Sequence, residues 1–461
     1  MQINSVSRVA VLARSIRAHL IITIASVIFC IPPLSAQLPQ LLKDNDPAPL
    51  GFAPSSLFQV GSLQYFTTDA GNGFELWRTD GTAAGTFEIA DLFPGTTGSN
   101  PDSFTAVGSN LFFLANEPGL GRALYRSDGN VIIRVKSISL STFLGFTNII
   151  GVVANLVILS GDDGIIGNEL YSSDGTDPGT ILLKNISAGP SSSDPSRGLS
   201  VAASKLIFSA RTSAEGVEPW VTDGTPLGTI PLANLNPGSG SSQPFPVGVV
   251  GTFGLFSAND GTIGRELYRT NGTPGGTTLV KDIETGPGSS KVSKVGSLNS
   301  IMILSATSSD GNELWKTDGT LANTVLLKDI EAGPGGSSPF GGITVGNTLF
   351  FSASTAALGR ELYRTNGLTA GTTLVKDIRP GSLSALLSSG TAINNGKILF
   401  TANDGLNGFE LWSSDGTEAG TILAKDIFAG AGNSFPTGFV ELAVDALFTA
   451  TGDDLNSALF R

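Results

Sequence analysis

Two residue types that carry much enzyme and metal chemistry are nearly missing from this chain. Its 461 residues include one cysteine, Cys30, and one histidine, His19, and both lie within the first 36 residues. If that segment is removed on export, the mature chain has neither. Disulfides, zinc sites built on Cys or His, cysteine nucleophiles and histidine general bases are then excluded. A mature chain of 425 residues is long enough to fold on its hydrophobic core alone.

The first 36 residues have the pattern of a signal peptide. A basic start without acidic residues is followed by an apolar run of 12 residues, from Leu20 to Ile31, and then by two prolines. Ser35 and Ala36 offer a small-residue cleavage site before Gln37. The apolar run is shorter than the roughly 20 residues that span a bilayer. We therefore predict a secreted, periplasmic or cell-surface protein without an integral membrane span after cleavage, with a retained signal anchor as the alternative.

Positive charge is also scarce. The mature chain carries 24 basic residues against 39 acidic ones, a net charge of −15, and its basic residues form no run. Nucleic acid and anionic membranes are recognised by clustered Lys and Arg, so neither is predicted as a partner. Charged residues make up only 14% of the chain, whereas glycine contributes 59 residues. This composition, with its β-prone apolar runs, predicts an all-β protein with many tight turns.

One motif recurs along the whole mature chain. Its clearest copy is Glu410-Leu411-Trp412, followed by Asp415-Gly416 and a threonine. Successive copies are separated by 46 to 49 residues, and the nine copies begin at Glu75, Ala123, Glu169, Glu218, Glu266, Glu313, Glu361, Glu410 and Ala458. A nearly constant period in this range is typical of solenoids, propellers and arrays.

Each unit is predicted to contain four short strands. In the unit around Glu361 we expect strands at 343–345, 349–353, 361–365 and 373–378, separated by turns rich in Gly with Asn or Pro. The second strand is apolar on both faces, as in residues 111–114, so both faces of each sheet must be covered. Stacked four-stranded sheets achieve this in a β-propeller. The fourth strand carries Lys-Asp pairs such as Lys376-Asp377, which suit an exposed outer edge.

The two ends of the mature chain are offset by one strand, and this favours a closed ring. Residues 41–45 resemble a fourth strand, whereas the chain stops at Arg461 just after a third strand. We predict one propeller domain over residues 37–461, with nine blades, in which the strand at 41–45 completes the last blade. Eight blades are the alternative, because residues 131–159 diverge most from the repeat. A β-helix is the rival architecture, but its rungs are much shorter than these units.

The repeat resembles that of the bacterial ELWxxDGT-repeat proteins. The shared residues are Glu-Leu-Trp-x-x-Asp-Gly-Thr, then x-x-Gly-Thr and Leu-Val-Lys-Asp-Ile, and the resemblance covers nearly the whole mature chain. It implies an exported or surface-attached protein with propeller-like repeats, and it implies no common activity and no catalytic residue. Some copies depart from the pattern, since Pro219 replaces the leucine and Asn271 and Asn366 replace the aspartate.

Residues that recur in most units are interpreted as architecture. All four tryptophans and four of the five tyrosines share one position, where they could stack on sugars but are expected to pack blade on blade. The repeated glutamate could form a carboxylate ring, but we expect it to accept hydrogen bonds from turn amides or to pair with a lysine. The Asp-Gly-Thr segment is expected to form a turn. The structural positions singled out in this way are Glu75, Trp77, Asp80, Gly81, Trp220, Trp315, Glu410, Trp412, Asp415 and Gly416.

The loops between second and third strands hold the candidate ligand-binding residues. In a propeller these loops share a face with the Gly- and Ser-rich linkers between blades, and we predict that any ligand binds there. Closely spaced Asp and Asn oxygens can also ligate Ca²⁺, while hairpin turns are the structural alternative. No cofactor other than this possible Ca²⁺ is predicted. The candidate residues are Asp163, Asp260, Asp310, Asp404 and Asp453.

The sequence predicts a non-enzymatic, exported binding module for a glycan or a protein ligand. Similar units presented in a ring suit multivalent binding through individually weak contacts. Two other functions stay open: a carbohydrate-active hydrolase or lyase that uses carboxylates at the propeller centre, and a structural protein of the cell envelope. No carboxylate pair stands out, and the sequence does not indicate an oligomeric state.

Overall fold

The described part of the chain folds into nine four-stranded antiparallel sheets, the blades of a β-propeller. A computed structural model describes residues 41–43, 54–55, 57–119, 121–136, 145–201, 204–385, 389–442, 445–452 and 457–461. The predicted signal peptide and Asp453 lie outside these residues. The predicted fold class and the count of nine blades are confirmed. Within the described ranges, helical structure is limited to two 3-10 turns, Pro274–Gly276 and Thr369–Gly371, so none of it could span a bilayer as a helix.

Blades 1 to 8 each consist of four consecutive strands. Blade 1 contains β2 to β5 (Phe58–Val60, Leu63–Asp69, Phe74–Thr79, Phe87–Ala90), and blade 2 contains β6 to β9 (Asp102–Val107, Asn110–Glu117, Gly121–Ser127, Ile132–Lys136). Blade 3 contains β10 to β13 (Gly145–Val153, Leu156–Asp162, Asn168–Ser173, Ile181–Lys184), and blade 4 contains β14 to β17 (Ser196–Ser200, Leu206–Thr212, Gly216–Thr222, Ile230–Pro231). The divergent stretch at 131–159 therefore hides no lost blade.

The second half of the ring repeats this plan. Blade 5 contains β18 to β21 (Phe245–Val250, Phe253–Asn259, Arg265–Thr270, Thr278–Lys281), and blade 6 contains β22 to β25 (Ser293–Leu298, Ile301–Ser308, Gly311–Thr317, Val325–Lys328). Blade 7 contains β26 to β29 (Phe340–Val345, Thr348–Thr355, Gly359–Thr365, Thr373–Lys376), and blade 8 contains β30 to β33 (Gly390–Ile393, Lys397–Asn403, Phe409–Ser414, Ile422–Lys425). Blade 9 contains β34 to β36 (Thr437–Leu442, Asp445–Thr451, Ser457–Phe460) together with β1 (Leu41–Lys43).

The core lies between the blades because the second strands bury both of their faces. On β7, Leu111 and Phe113 pack into a cluster shared with blade 1, where they meet Tyr65. Phe112, between them in sequence, points the other way into a cluster with Val157 of blade 3. A strand places successive side chains on opposite faces, so an unbroken apolar run contributes to two interfaces at once. This confirms the prediction that both faces of each sheet are covered.

First strands lie innermost and fourth strands outermost. The first strands of neighbouring blades adjoin one another, as β22 does with β26 and β26 with β30. One prediction about the outer strand is wrong in detail: β29 ends at Lys376, so Asp377 follows the strand rather than lying within it. Lys376 also links neighbouring blades, because its Nζ donates to the carbonyl oxygen of Thr421 in the next blade at 2.8 Å.

The N-terminal strand closes the ring, as predicted. It pairs antiparallel with β36, Leu41 lying opposite Phe460, and Leu42 packs into a cluster shared by blades 9 and 1. Arg461 Nη1 also donates to the carbonyl oxygen of Gly81 in blade 1 at 3.1 Å. The described strand covers residues 41–43, and residues 44 and 45 of the predicted strand lie outside the described residues.

Candidate ligand-binding site

The linkers between blades and the loops from second to third strands share one face of the propeller, here called the linker face. Strand direction alternates within each blade, so these two sets of connections must emerge on the same side. Hydrogen bonds confirm it: the Asn100 amide donates to the Phe74 carbonyl of blade 1 at 3.0 Å, and the Asn116 amide of blade 2 donates to the Ser99 carbonyl at 2.8 Å. The first residues of the nine inner strands surround the centre of this face, and we call that region the mouth.

The repeated glutamate is a buried anchor for the linker. Glu313 has no exposed surface and accepts hydrogen bonds from the amides of Ile330 (2.8 Å) and Ser337 (2.6 Å) and from the Ser337 hydroxyl (2.6 Å). The Ser337 carbonyl then accepts from the amide of Ser354 in blade 7 at 2.8 Å. Each glutamate thus couples its own blade to the next through the linker. In the other blades with this glutamate, the backbone amides 17 and 24 residues later likewise donate to its carboxylate. These glutamates are Glu75, Glu169, Glu218, Glu266, Glu361 and Glu410.

Glu361 is the exception among these anchors. Its linker partner is Ala385, whose amide donates at 3.2 Å, whereas the other glutamates have a serine there. Burial raises the pKa of Glu361 to about 7, and the two amides offset this only in part. Burial also raises the pKa of Glu313, but there the Ser337 hydroxyl opposes the rise.

Replacing Ala385 with serine is expected to stabilise the protein at pH 8 but not at pH 4. The native Glu361 has a pKa near 7 against an ordinary value of 4.5, so stability falls as pH rises between these values and is lowest above 7. A serine hydroxyl would favour the carboxylate, lower its pKa and recover about 1 kcal/mol above pH 7. Urea unfolding of both proteins at pH 4 and pH 8 measures this difference. Equal gains at both pH values would contradict the mechanism, and the Ala385→Cys variant controls for added volume.

The shared tryptophan and tyrosine position lies inside the interfaces between blades. Trp412 is 6% exposed and packs with Phe350 and Phe400 between blades 7 and 8. Tyr125 is 6% exposed and stacks on Phe113 at 5.5 Å between ring centroids. Rings held in this way present no free face to a sugar. The other aromatic residues of this position are equally buried: Trp77, Tyr171, Trp220, Tyr268, Trp315 and Tyr363.

The Asp-Gly-Thr segment forms a closed turn on the opposite face. Asp80 Oδ1 accepts from the Thr82 amide (2.9 Å) and hydroxyl (2.7 Å), and these bonds lower the pKa of Asp80. Gly81 adopts φ +87°, and a Cβ on Gly85 would lie 2.1 Å from Asp80 Oδ1. Where asparagine replaces the aspartate, as in Asn271, its Oδ1 accepts the same hydroxyl bond. The turn therefore needs an acceptor oxygen rather than a charge; Asp415 and Gly416 form the same turn.

Three of the predicted acidic loop residues use their carboxylates to close their own loops. The Oδ1 atoms of Asp163, Asp260 and Asp404 each accept two hydrogen bonds, from the backbone amides two and three residues later, at 2.8 to 3.0 Å. The Asp310 amide donates to the Ser308 hydroxyl at 3.3 Å. These aspartates belong to separate blades, and among the described residues no group of three or more His, Cys, Asp or Glu could hold a metal ion.

Two exposed phenylalanines at the mouth form a different kind of site. Phe245 begins β18, is 53% exposed, and has the Arg197 Cζ atom 5.2 Å from its ring centroid. Phe340 begins β26, is 42% exposed, and has the Arg360 Cζ atom 4.6 Å from its ring centroid. An exposed ring beside a guanidinium offers a ligand both an apolar platform and a charged donor.

The blade 7 position opens onto a cavity of about 280 Å³ between blades 7 and 8. Glycines of both inner strands, Gly342 and Gly390, lie in its wall. Ser352 lies in its wall and accepts from Arg360 Nη1 at 3.2 Å, which joins the cavity to the rim at Phe340. The other lining residues are mainly apolar: Gly341, Ile343, Phe350, Phe351, Leu362, Ser389, Ile398 and Phe400.

Sequence reasoning missed these phenylalanines because it concentrated on repeated positions and on acids. A signal was present. Phe245 and Phe340 stand 27 residues after the motif glutamates of the preceding blades, where other described units have Asp102, Ser196, Ser293 and Thr437. An aromatic residue at an otherwise small, polar and exposed position is an indication of binding that the repeat itself does not explain.

Comparisons with known proteins show weak structural likeness only. No family model and no curated protein matches this chain. Among solved structures it resembles a prolyl endopeptidase (15% identity, TM-score 0.43, covering 78% of this chain and 53% of that one) and a puromycin hydrolase (13%, 0.40, 76% and 58%). It also resembles a GH74 xyloglucanase from Xanthomonas campestris (13%, 0.38, 91% and 74%). The chain thus spans just over half the length of the first two, and none of the three carries an inference about function.

Proposed function

We propose that this protein is an exported, non-enzymatic β-propeller that binds a glycan or a protein ligand at the mouth of the linker face. The observation that supports this best is the pair of exposed rings, Phe245 and Phe340, each beside a guanidinium. Exposed aromatic rings with a charged donor are a common way to hold a sugar ring, which has an apolar face and a polar edge. We therefore favour a glycan over a protein as the ligand.

The distribution of the motif residues supports a binding role over catalysis. The repeated glutamates are buried and accept hydrogen bonds from linker amides, so they are not available as a ring of catalytic carboxylates at the centre. Among the described residues, an exposed phenylalanine begins the inner strand in blades 5 and 7 only. In this proposal the ligand contacts a few chemically distinct blades, and not nine similar units through equally weak contacts. The predicted signal peptide supports a location outside the cytoplasm in this proposal: secreted, periplasmic or at the cell surface.

A glycan array followed by calorimetry on the mature chain tests this function. We expect at least one glycan to bind and the Phe245→Ala/Phe340→Ala double variant to lose about tenfold in affinity. Leu227→Ala is the matched control, because Leu227 is 93% exposed in a turn on the opposite face. Repeating the titration in EDTA separates a Ca²⁺ requirement from the aromatic contacts.

Three results would argue against the proposal. New reducing ends in the bound glycan would indicate a hydrolase or lyase. Unchanged affinity in the double variant would place the ligand elsewhere on the propeller. No binding to any glycan, together with a protein ligand that still binds the double variant, would remove both the ligand class and the site.

A further inference from the structure

The mouth carries an exposed ring with cations on its own blade and on both neighbouring blades, here called the blade 5 cluster: Phe245, Arg197, Arg265 and Lys294. Its centre is the Phe245 ring, which is 53% exposed at the start of β18. Arg197 reaches over this ring from blade 4, with its Cζ atom 5.2 Å from the ring centroid. The cluster therefore combines residues of neighbouring blades around a single exposed platform.

Arg265 supplies the second cation from blade 5 itself. Its Nη1 atom donates to the carbonyl oxygens of Gln243 (2.7 Å) and Ser257 (3.1 Å). The guanidinium is therefore held beside the start of β18. Burial lowers the pKa of Arg265, and repulsion from Arg197 lowers it further. An anion placed between the half-buried Arg265 and the exposed Arg197 would offset the repulsion between them.

Lys294 supplies the third cation from blade 6. Its Cδ atom lies 3.5 Å from the position that a Cβ atom on Gly248 would occupy, so the lysine stem lies along β18. Arg197 and Lys294 approach the same inner strand from opposite neighbours.

The cations of the blade 5 cluster have no acidic partner among the described residues. The ion pairs of that part of the chain join Arg122 to Asp102, Arg134 to Glu117, and Lys136 to Asp177. In blade 2, Arg122 and Asp102 occupy the repeat positions that Arg265 and Phe245 occupy in blade 5. There the arginine of the third strand is neutralised by an aspartate of the first strand. In a mature chain of net charge −15, two guanidiniums without an acidic partner beside one exposed ring, and a lysine further along the same strand, point to an external anion.

We propose that the blade 5 cluster binds a uronic-acid residue of an acidic polysaccharide, its ring against Phe245 and its carboxylate between Arg197 and Arg265, with Lys294 as a further cation along β18. Guanidinium groups match carboxylate geometry, and one carboxylate per sugar matches one compact cluster. Nucleic acid fits less well, because its continuous phosphate charge requires a long basic surface. This inference rests on the proposed function and specifies the ligand class for one part of the same mouth.

Titrations with oligomers of galacturonate, guluronate and glucuronate test the proposal, with neutral cello-oligosaccharide and poly-L-glutamate as comparison ligands. At least one uronate oligomer should bind, and its affinity should fall with added salt. Phe245→Ala and the Arg197→Gln/Lys294→Gln double variant should each weaken it about tenfold or more. Leu227→Ala is the control, because Leu227 is exposed in a turn on the opposite face, and it should change affinity less than twofold. These side chains are exposed, so melting temperatures should stay within about 2 °C of the parent.

The outcomes separate this inference from the proposed function. A neutral glycan that binds as tightly as uronates, with the same loss in Phe245→Ala, keeps the function and overturns the acidic ligand. Poly-L-glutamate that binds equally well overturns the requirement for a sugar ring. Binding of none of the uronates overturns this inference, but it leaves the proposed function standing if another glycan or a protein ligand binds and loses affinity in the Phe245→Ala/Phe340→Ala double variant.

Discussion

The Glu313→Ala variant is expected to lose on the order of 3 kcal/mol of unfolding free energy at pH 7. The substitution leaves the amides of Ile330 and Ser337 and the Ser337 hydroxyl without their acceptor in a region closed to solvent. Buried donors without partners cost about 1 to 3 kcal/mol each, less whatever relaxation or water recovers. The linker also holds blade 7 through the Ser354 amide, so the damage extends to the interface between blades 6 and 7. Urea unfolding followed by circular dichroism measures the loss.

Two companion variants identify the cause of that loss. Glu418→Ala removes an exposed glutamate of the turn in blade 8 and should change stability by less than about 0.5 kcal/mol. Ser337→Ala removes one hydroxyl bond to Glu313, should cost about 1 kcal/mol, and copies the natural arrangement at Ala385. A Glu313→Ala loss no larger than that of Glu418→Ala would contradict the anchoring role.

Most of the fold could be predicted from the sequence because each blade repeats one strand plan. The period of the motif, the two-sided apolar second strand and the spare strand at the N-terminus together require a closed ring of sheets. The register of a repeated strand is determined by the same side chains each time, so one correct assignment serves every blade. The aspartate of the Lys376-Asp377 pair was predicted inside the fourth strand, but it follows the strand. In a sequence, polar residues after a strand look the same as polar residues at its end.

The anchoring contact was accessible but was not recognised. A serine follows the motif glutamate after 24 residues at Ser99, Ser193, Ser242, Ser290, Ser337 and Ser434. Sequence reasoning expected turn amides or a lysine as the partner, and the structure adds the serine hydroxyl in most units. A fixed separation between a glutamate and a serine in successive units is a detectable sign of such a pair.

The blade 5 cluster could not be predicted in the same way. Its residues come from three blades and from different positions of the repeat, and only the ring geometry brings Arg197 and Lys294 onto one inner strand. Acidic loops attracted attention because they resemble ligand-binding sequences, yet Asp163 and Asp404 use their side chains to close their own turns. The side chains available to a ligand are those that differ between units and have no internal partner.

Removing residues 37–45 from the mature chain is expected to open the ring and to lower the unfolding free energy by roughly 3 kcal/mol. The deletion takes β1 from blade 9, so β36 loses the strand that pairs with it at Leu459 and Phe460. It also removes Leu42 from the cluster that joins blade 9 to blade 1 through Leu447 and Trp77. An uncovered strand edge is a template for association, so the shortened protein should form oligomers as its concentration rises. Thermal unfolding and light scattering measure the two effects.

A pair of point variants tests whether closure, rather than chain length, is responsible. Leu42→Asp places a charge in the closing cluster and should cost about 2 kcal/mol, whereas Leu41→Asp, on the opposite side of β1 where Leu41 is 55% exposed, should cost under about 0.5 kcal/mol. A synthetic peptide of residues 37–45 should restore part of the lost melting temperature to the shortened protein, because it can occupy the free edge of β36. If the shortened protein melts like the mature chain, the eight blades formed wholly by consecutive strands are stable without closure. The pairing of β1 with β36 would then not be needed to keep the ring stable.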